Sequence, residues 1–136
     1  ARLINGVTRH MNKRTSDNDV EHTRIGDLQY HHFDFEVSGE PTNALIELKG
    51  EKGFNFCLYL KKGAPAFCSN ADHANTNPGN SKTLKADLTP GKWFASVECV
   101  TTVKAELDGC RGFFNYLGKT TVLNGAAYRI KLITDN

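Results

Sequence analysis

Apolar and polar side chains alternate along much of the chain with a period of two. From Gln29 to Val37, His31, Phe33, Phe35 and Val37 face one way and Tyr30, His32, Asp34 and Glu36 the other, the pattern of a half-buried strand. Ala44, Ile46 and Leu48 alternate with Leu45, Glu47 and Lys49 in a second strand closed by the turn Gly50-Glu51-Lys52-Gly53, and these two strands read as antiparallel neighbours. Phe54, Phe56, Leu58 and Leu60 share a face opposite Asn55, Cys57 and Tyr59. Lys61-Lys62-Gly63-Ala64-Pro65 interrupts the run, and residues 69–81, rich in Asn, Asp, Gly and Pro, read as the longest loop. Thr83, Leu84, Ala86 and Leu88 form a short strand ended by the turn Thr89-Pro90-Gly91. Trp93, Ala95, Val97 and Cys99 then oppose Phe94, Ser96, Glu98 and Val100. After the turn at Asp108-Gly109, residues 113–117 and 120–123 are short and ambiguous. Asn124-Gly125 is a tight-turn pair, and Tyr128, Ile130 and Leu132 alternate with Arg129, Lys131 and Ile133 in a final strand. No segment keeps a helical apolar stripe over three turns, so the pattern predicts an all-β antiparallel sandwich or barrel.

With 136 residues and neither repeat nor linker, residues 1–136 read as a single domain. Hydrophobic residues at 39% are enough for an ordinary core and exclude disorder as the main state. Seventeen basic and fifteen acidic side chains, with no basic block, argue against nucleic acid as a partner. The longest apolar stretches fall far short of the roughly 20 residues of a membrane-spanning helix, and no signal peptide is visible. The start at Ala1 suggests a mature form or a proteolytic fragment.

Cys57, Cys68, Cys99 and Cys110 fall into two pairs, each with partners eleven positions apart. Close Cys pairs of the zinc-finger kind are missing, which argues against zinc. Local bridges Cys57 to Cys68 and Cys99 to Cys110 are the first expectation, each contributing about 3 kcal/mol by chain entropy. A cross-strand Cys57 to Cys99 bridge and four free thiols are the alternatives. Bridges favour an oxidising setting, hence a secreted or extracellular protein.

The order of motifs adds to this reading. Leu3, Asn5 and Gly6 open the chain; Tyr30, Phe33 and Phe35 mark one strand, and Leu58, Tyr59 and Leu60 another. Leu88, Pro90, Gly91 and the run from Trp93 to Val97 follow, and Tyr128, Ile130 and Leu132 close the series. In this succession the chain resembles the bacterial pre-peptidase C-terminal (PPC) domain family over nearly its whole length. The resemblance implies a secreted jelly-roll β-sandwich, a non-catalytic accessory to a peptidase that assists secretion, folding or attachment to substrate. Its implied partners are the parent catalytic domain and an extracellular polymer, either a protein fibre or a glycan. The chain departs from the family pattern before Leu-Tyr-Leu, where Asn55 and Cys57 stand in place of two acids, and it is longer around Cys99 and Cys110.

Two other functions compete: a free-standing module binding carbohydrate or fibrous protein, and a small secreted enzyme. For the enzyme, His32, Asp34 and Glu36 share a strand face, at steps of about 7 Å. The bland alternative, a solvated outer face, is favoured, since no nucleophile elbow, zinc-protease helix or phosphate loop is present. No cofactor is called for, calcium being the one ion the residues suggest: Asp17, Asp19, Glu21 and Asp27 could offer it oxygen ligands, but the pattern lacks the glycine and terminal Glu of an EF-hand loop, which favours a solvated charged loop. For ligand contact the candidates are Tyr59, Trp93 and Tyr116, whose rings could stack on sugars or pack on peptide but could also fill the core. The 69–81 loop is the candidate variable edge.

Overall fold

The computed structural model describes residues 1–14, 21–25, 29–52, 54–77, 79–100, 104–108, 113–117 and 125–134, with the segments 104–108 and 113–117 described by their backbone. Ten strands are described: β1 (Thr8–Met11), β2 (Tyr30–Val37), β3 (Thr42–Gly50), β4 (Asn55–Lys62), β5 (His73–Asn75), β6 (Ser81–Leu88), β7 (Gly91–Val100), β8 (Lys104–Asp108), β9 (Phe113–Leu117) and β10 (Tyr128–Thr134). Two four-stranded antiparallel sheets have the orders β1-β10-β3-β6 and β2-β7-β4-β5. The chain passes repeatedly from one sheet to the other, which is the jelly-roll arrangement and bears out the expected sandwich. The hairpin β8-β9 lies between the last two strands of the roll, in the region that was expected to be longer than the family pattern.

The period-two pattern becomes the core directly. Phe33, Phe35 and Val37 from β2, Phe56, Leu58 and Leu60 from β4, and Ala95, Val97 and Cys99 from β7 face Ala44, Ile46 and Leu48 from β3 and Ile130 and Leu132 from β10 in one buried cluster. Each large side chain so buried contributes about 1.5–3 kcal/mol. β2 and β3, expected to pair, instead lie in opposite sheets: β2 pairs with β7, and β3 with β10 and β6. Alternation shows that a strand has one apolar face, and that condition is met equally well across the sandwich as beside it.

Three short elements carry too few apolar positions to be seen in sequence. Strand β1 has a single buried residue, Met11. Strand β5 falls inside the predicted loop and hydrogen-bonds to the edge of β4, pairing Leu58 with Asn75 and Leu60 with His73. Its surroundings use polar side chains to satisfy backbone groups: Asn55 Oδ1 accepts from Gly79 N at 2.9 Å, and Asn80 Nδ2 donates to the Gly50 carbonyl at 2.9 Å. The 69–81 segment is therefore partly sheet edge and partly clamp. β8 is the third such element.

The opening Leu3-Asn5-Gly6 motif acts as a strap across the two sheets. Leu3 is buried and its N–H donates to the Asp34 carbonyl on β2. Gly6 N donates to Leu132 O on β10, and Asn5 Oδ1 accepts from Thr134 N. At the opposite end of β10, Gly50 closes against Phe56: a β-carbon placed on Gly50 would lie 2.1 Å from the Phe56 ring, which is itself fully buried. Gly50→Ala should therefore force the ring from its place and destabilise the domain by about 1–3 kcal/mol. Urea unfolding of the variant measures this, and an unchanged midpoint would contradict the packing.

Candidate functional site

β4 is buried on both faces, which alternation alone does not predict. Its inward side chains enter the core, while Cys57 and Tyr59 point to the other side and form a second cluster with Ala66, Tyr30 and Ala71. The cover is the segment 63–72, which leaves β4 at Gly63, with φ of +81°, and folds back over the outer face of its own sheet. Side chains of that face receive it: Ala66 N donates to Ser96 Oγ at 3.2 Å, and Cys68 N to Tyr30 Oη at 3.4 Å. Lys62 N donates to Asp72 Oδ2 at 3.0 Å, and Asp72 N to Leu60 O at 2.7 Å, which fixes the far end of the segment.

An aromatic platform emerges at the margin of this cover. Tyr30 and His32 stack with centroids 5.9 Å apart and planes 7° from parallel, and the Phe67 ring meets both edge-on at 5.0 and 4.9 Å. Phe67 is 40% exposed, while Tyr30 and His32 are half-buried. Such faces suit sugar rings or peptide side chains. Sequence reading missed Tyr30, His32 and Phe67 as ligand contacts because their meeting depends on where segment 63–72 lands.

The aromatic residues chosen from sequence lie elsewhere. Tyr59 is 3% exposed and donates its hydroxyl to Glu98 Oε1 at 2.8 Å. Trp93 is 5% exposed and its indole N–H donates to the Thr89 carbonyl at 2.8 Å. Both rings are packed inside the domain. Tyr116 lies on β9 opposite Ala105, with its side chain outside the described atoms. Of the calcium candidates, Glu21 is exposed in a turn, whereas Asp17, Asp19 and Asp27 lie outside the described residues.

The cysteines also depart from expectation. Cys57 and Cys68, expected to bridge each other, are free thiols. A Cys57 to Cys99 bridge is ruled out by register, since Phe56 opposes Cys99 and Cys57 opposes Glu98, so the two thiols lie on opposite faces of the sheet. Cys57 points beneath the folded-back segment and burial pushes its thiol pKa up, whereas Cys68 is exposed. Cys110, the expected partner of Cys99, lies outside the described residues.

His32 Nδ1 lies 2.6 Å from Ser96 Oγ, a separation that a nucleophile and its base would also show. Ser96, however, is wholly buried, and its oxygen is already occupied by the Ala66 N–H. The carboxylate nearest in register, Glu98, is engaged by Tyr59 rather than by the imidazole. Asp34, the other candidate on that strand face, takes Arg2 at 3.2 Å and Lys92 at 3.5 Å. Partial burial opposes its ionisation, yet those two cations prevail and hold its carboxyl below the usual range. The Ser–His contact thus serves to anchor the covering segment.

One polar tie crosses the core. His31, on the inward face of β2, meets Tyr128 of β10 with Nδ1 and Oη 2.6 Å apart. Burial, reinforced by the neighbouring His32, lowers the His31 pKa from 6.5 to about 4, so the imidazole is neutral in the fold.

Compared with known proteins, this architecture has a clear counterpart. The fold matches the crystal structure, at 1.0 Å, of the pre-peptidase C-terminal domain of a collagenase from Bacillus anthracis, with a TM-score of 0.55 over 96% of this chain and 91% of that one. Sequence identity is 17%, so the likeness is one of fold. No protein-family model matches the chain, and no curated protein matches it in sequence. The expected PPC-like sandwich is borne out at the level of architecture.

Two outcomes follow from this geometry. His31 is harder to protonate in the folded than in the unfolded chain, so its contribution is fully present above about pH 6.5 and is lost as pH falls toward 4. The loss amounts to up to about 3 kcal/mol. His31→Gln, which does not titrate, should flatten the urea midpoint between those pH values, and a profile identical to the parent would contradict the assignment. Alkylation of the native protein followed by peptide mapping should label Cys68 and spare Cys57 until denaturant is added. Equal labelling of Cys57 and Cys68 would show that the segment does not cover the sheet.

Proposed function

We propose that this chain is a non-catalytic accessory domain of a secreted bacterial peptidase and attaches that enzyme to an extracellular polymer. The observation that carries the reading is the PPC-like jelly roll, matched over nearly the full length of both chains to a domain named as part of a collagenase. The site chemistry agrees with it. The Ser–His pair is consumed in holding a loop, while the Tyr30, His32 and Phe67 rings offer an accessible apolar surface. The polymer is a protein fibre or a glycan, since both present faces that aromatic rings can cover. The reading requires no cofactor, and its one candidate ion is calcium, with Asp17, Asp19, Glu21 and Asp27 as the oxygen donors.

Sedimentation of the domain with insoluble collagen and with glycan particles tests this. Retention on one of them is expected, and Phe67→Ala should weaken it by about 1.5 kcal/mol, roughly tenfold, through lost apolar contact. The domain should cleave none of the polymers. Absence of retention on every polymer, or hydrolysis that disappears with Ser96→Ala, would overturn the reading.

A further inference from the structure

The outer face of the β1-β10-β3-β6 sheet is as polar as the other sheet's is covered, and its register sorts the charges into rows. One row runs His10, Arg129, Lys49, Ser81 across four strands, and the next runs Thr8, Lys131, Glu47, Thr83. Neighbouring strands are about 4.8 Å apart, and the two rows are separated by about 7 Å along the strands. In the second row Lys131 stands opposite an acid, Glu47. In the first, Arg129 stands directly opposite Lys49, and like charges in that position destabilise a sheet.

The described carboxylates that form ion pairs are engaged away from this row. Asp34 takes Arg2 and Lys92, and Asp72 takes Lys61. Two shallow depressions overlap the row. One, of about 440 Å³, brings Thr8, Ser81 and Thr83 beside Lys49, Arg129 and Lys131, with Glu47 the one acid in its lining. The other, of about 290 Å³, adds His10 and Asn12 to Lys49 and Arg129, with Glu51 the one acid in its lining. Fixed cations flanked by hydroxyl and amide side chains are complementary to a ligand that carries both anionic groups and hydroxyls. Neither row holds a Phe, Tyr or Trp, so the run of large rings on which a single-stranded nucleic acid would stack is missing from them.

We infer that this sheet face binds an acidic polysaccharide, with a carboxylate or sulfate group held between Arg129 and Lys49. The surface is separate from the Tyr30, His32 and Phe67 platform, on the opposite side of the sandwich. The inference goes beyond the accessory role and stands or falls apart from it.

Affinity chromatography and titration of the whole chain against dextran, dextran sulfate, polygalacturonate and single-stranded DNA provide the test. The parent should bind dextran sulfate, polygalacturonate or both, and should release them as salt rises to about 0.3 M. Neutral dextran should not bind. Binding of only the sulfated or only the carboxylated polymer identifies which anion the row accepts. The double variant Lys49→Gln, Arg129→Gln should raise Kd about tenfold or more. It removes a like-charge pair, so its thermal midpoint should equal or exceed that of the parent. Lys85→Gln, on the same face but outside both rows, should retain the parent's affinity, as should Phe67→Ala. Failure to bind either acidic polymer, equal binding by the double variant, or tighter binding of DNA lost through the same two substitutions would overturn the inference.

Discussion

The structure depends on the meeting of two inner sheet faces across one apolar layer. Phe33 and Phe35 of β2 and Phe56, Leu58 and Leu60 of β4 have to be covered, and Ile46 and Leu48 of β3 with Ile130 and Leu132 of β10 lie in the same buried cluster from the facing sheet. Because side chains on a strand alternate, satisfying the inner faces fixes what the outer faces present. No outward residue can enter the core without a register slip that would expel every apolar neighbour. The outer faces are thereby free to differ, and they do. One is covered by a segment of its own chain, and the other stays open and carries charge.

The covered face shows how a polar segment can become part of the interior. Segment 63–72 has few large apolar residues, so hydrophobic burial alone would not seat it. Its hold comes from hydrogen bonds at Ser96, Tyr30 and Asp72 together with the small residue Ala66 against Tyr59. The result puts one exposed ring, Phe67, beside Tyr30 and His32. The His32 to Ser96 contact, which resembles part of a catalytic pair when distances alone are considered, belongs to this seating. The same residue types would mean something different in a cleft open to substrate.

Much of the architecture was legible in the residues, and the limits are physical. Strands β2, β4, β7 and β10 announce themselves because each repeats the two-residue period several times. β1, with Met11 as its buried residue, and β5, with three residues on a sheet edge, do not repeat it often enough. Pairing was not legible, as β2 and β3 show, because one apolar face can be satisfied by a neighbour or by the facing sheet. The site was less legible than the fold. Tyr59 and Cys57 occupy positions that would face water in an ordinary two-layer sandwich, and only the return of segment 63–72 buries them. Trp93 could be read either as core or as contact until its indole N–H was found bound to Thr89. The positions of Arg129 and Lys49 are plain in the sequence, but that they stand opposite each other depends on a register between strands some eighty residues apart.

The central claim is that a single apolar layer binds the two sheets into one cooperative body, with segment 63–72 held on it by a handful of polar contacts. Native-state hydrogen exchange read residue by residue measures this most directly. The account predicts that amides in β3, β10, β4 and β7 exchange only with global unfolding, at one common free energy, while amides between 63 and 72 exchange earlier through a local opening. Exchange of β3 and β10 at a free energy well below that of β4 and β7 would mean that the sheets separate independently, and would contradict it.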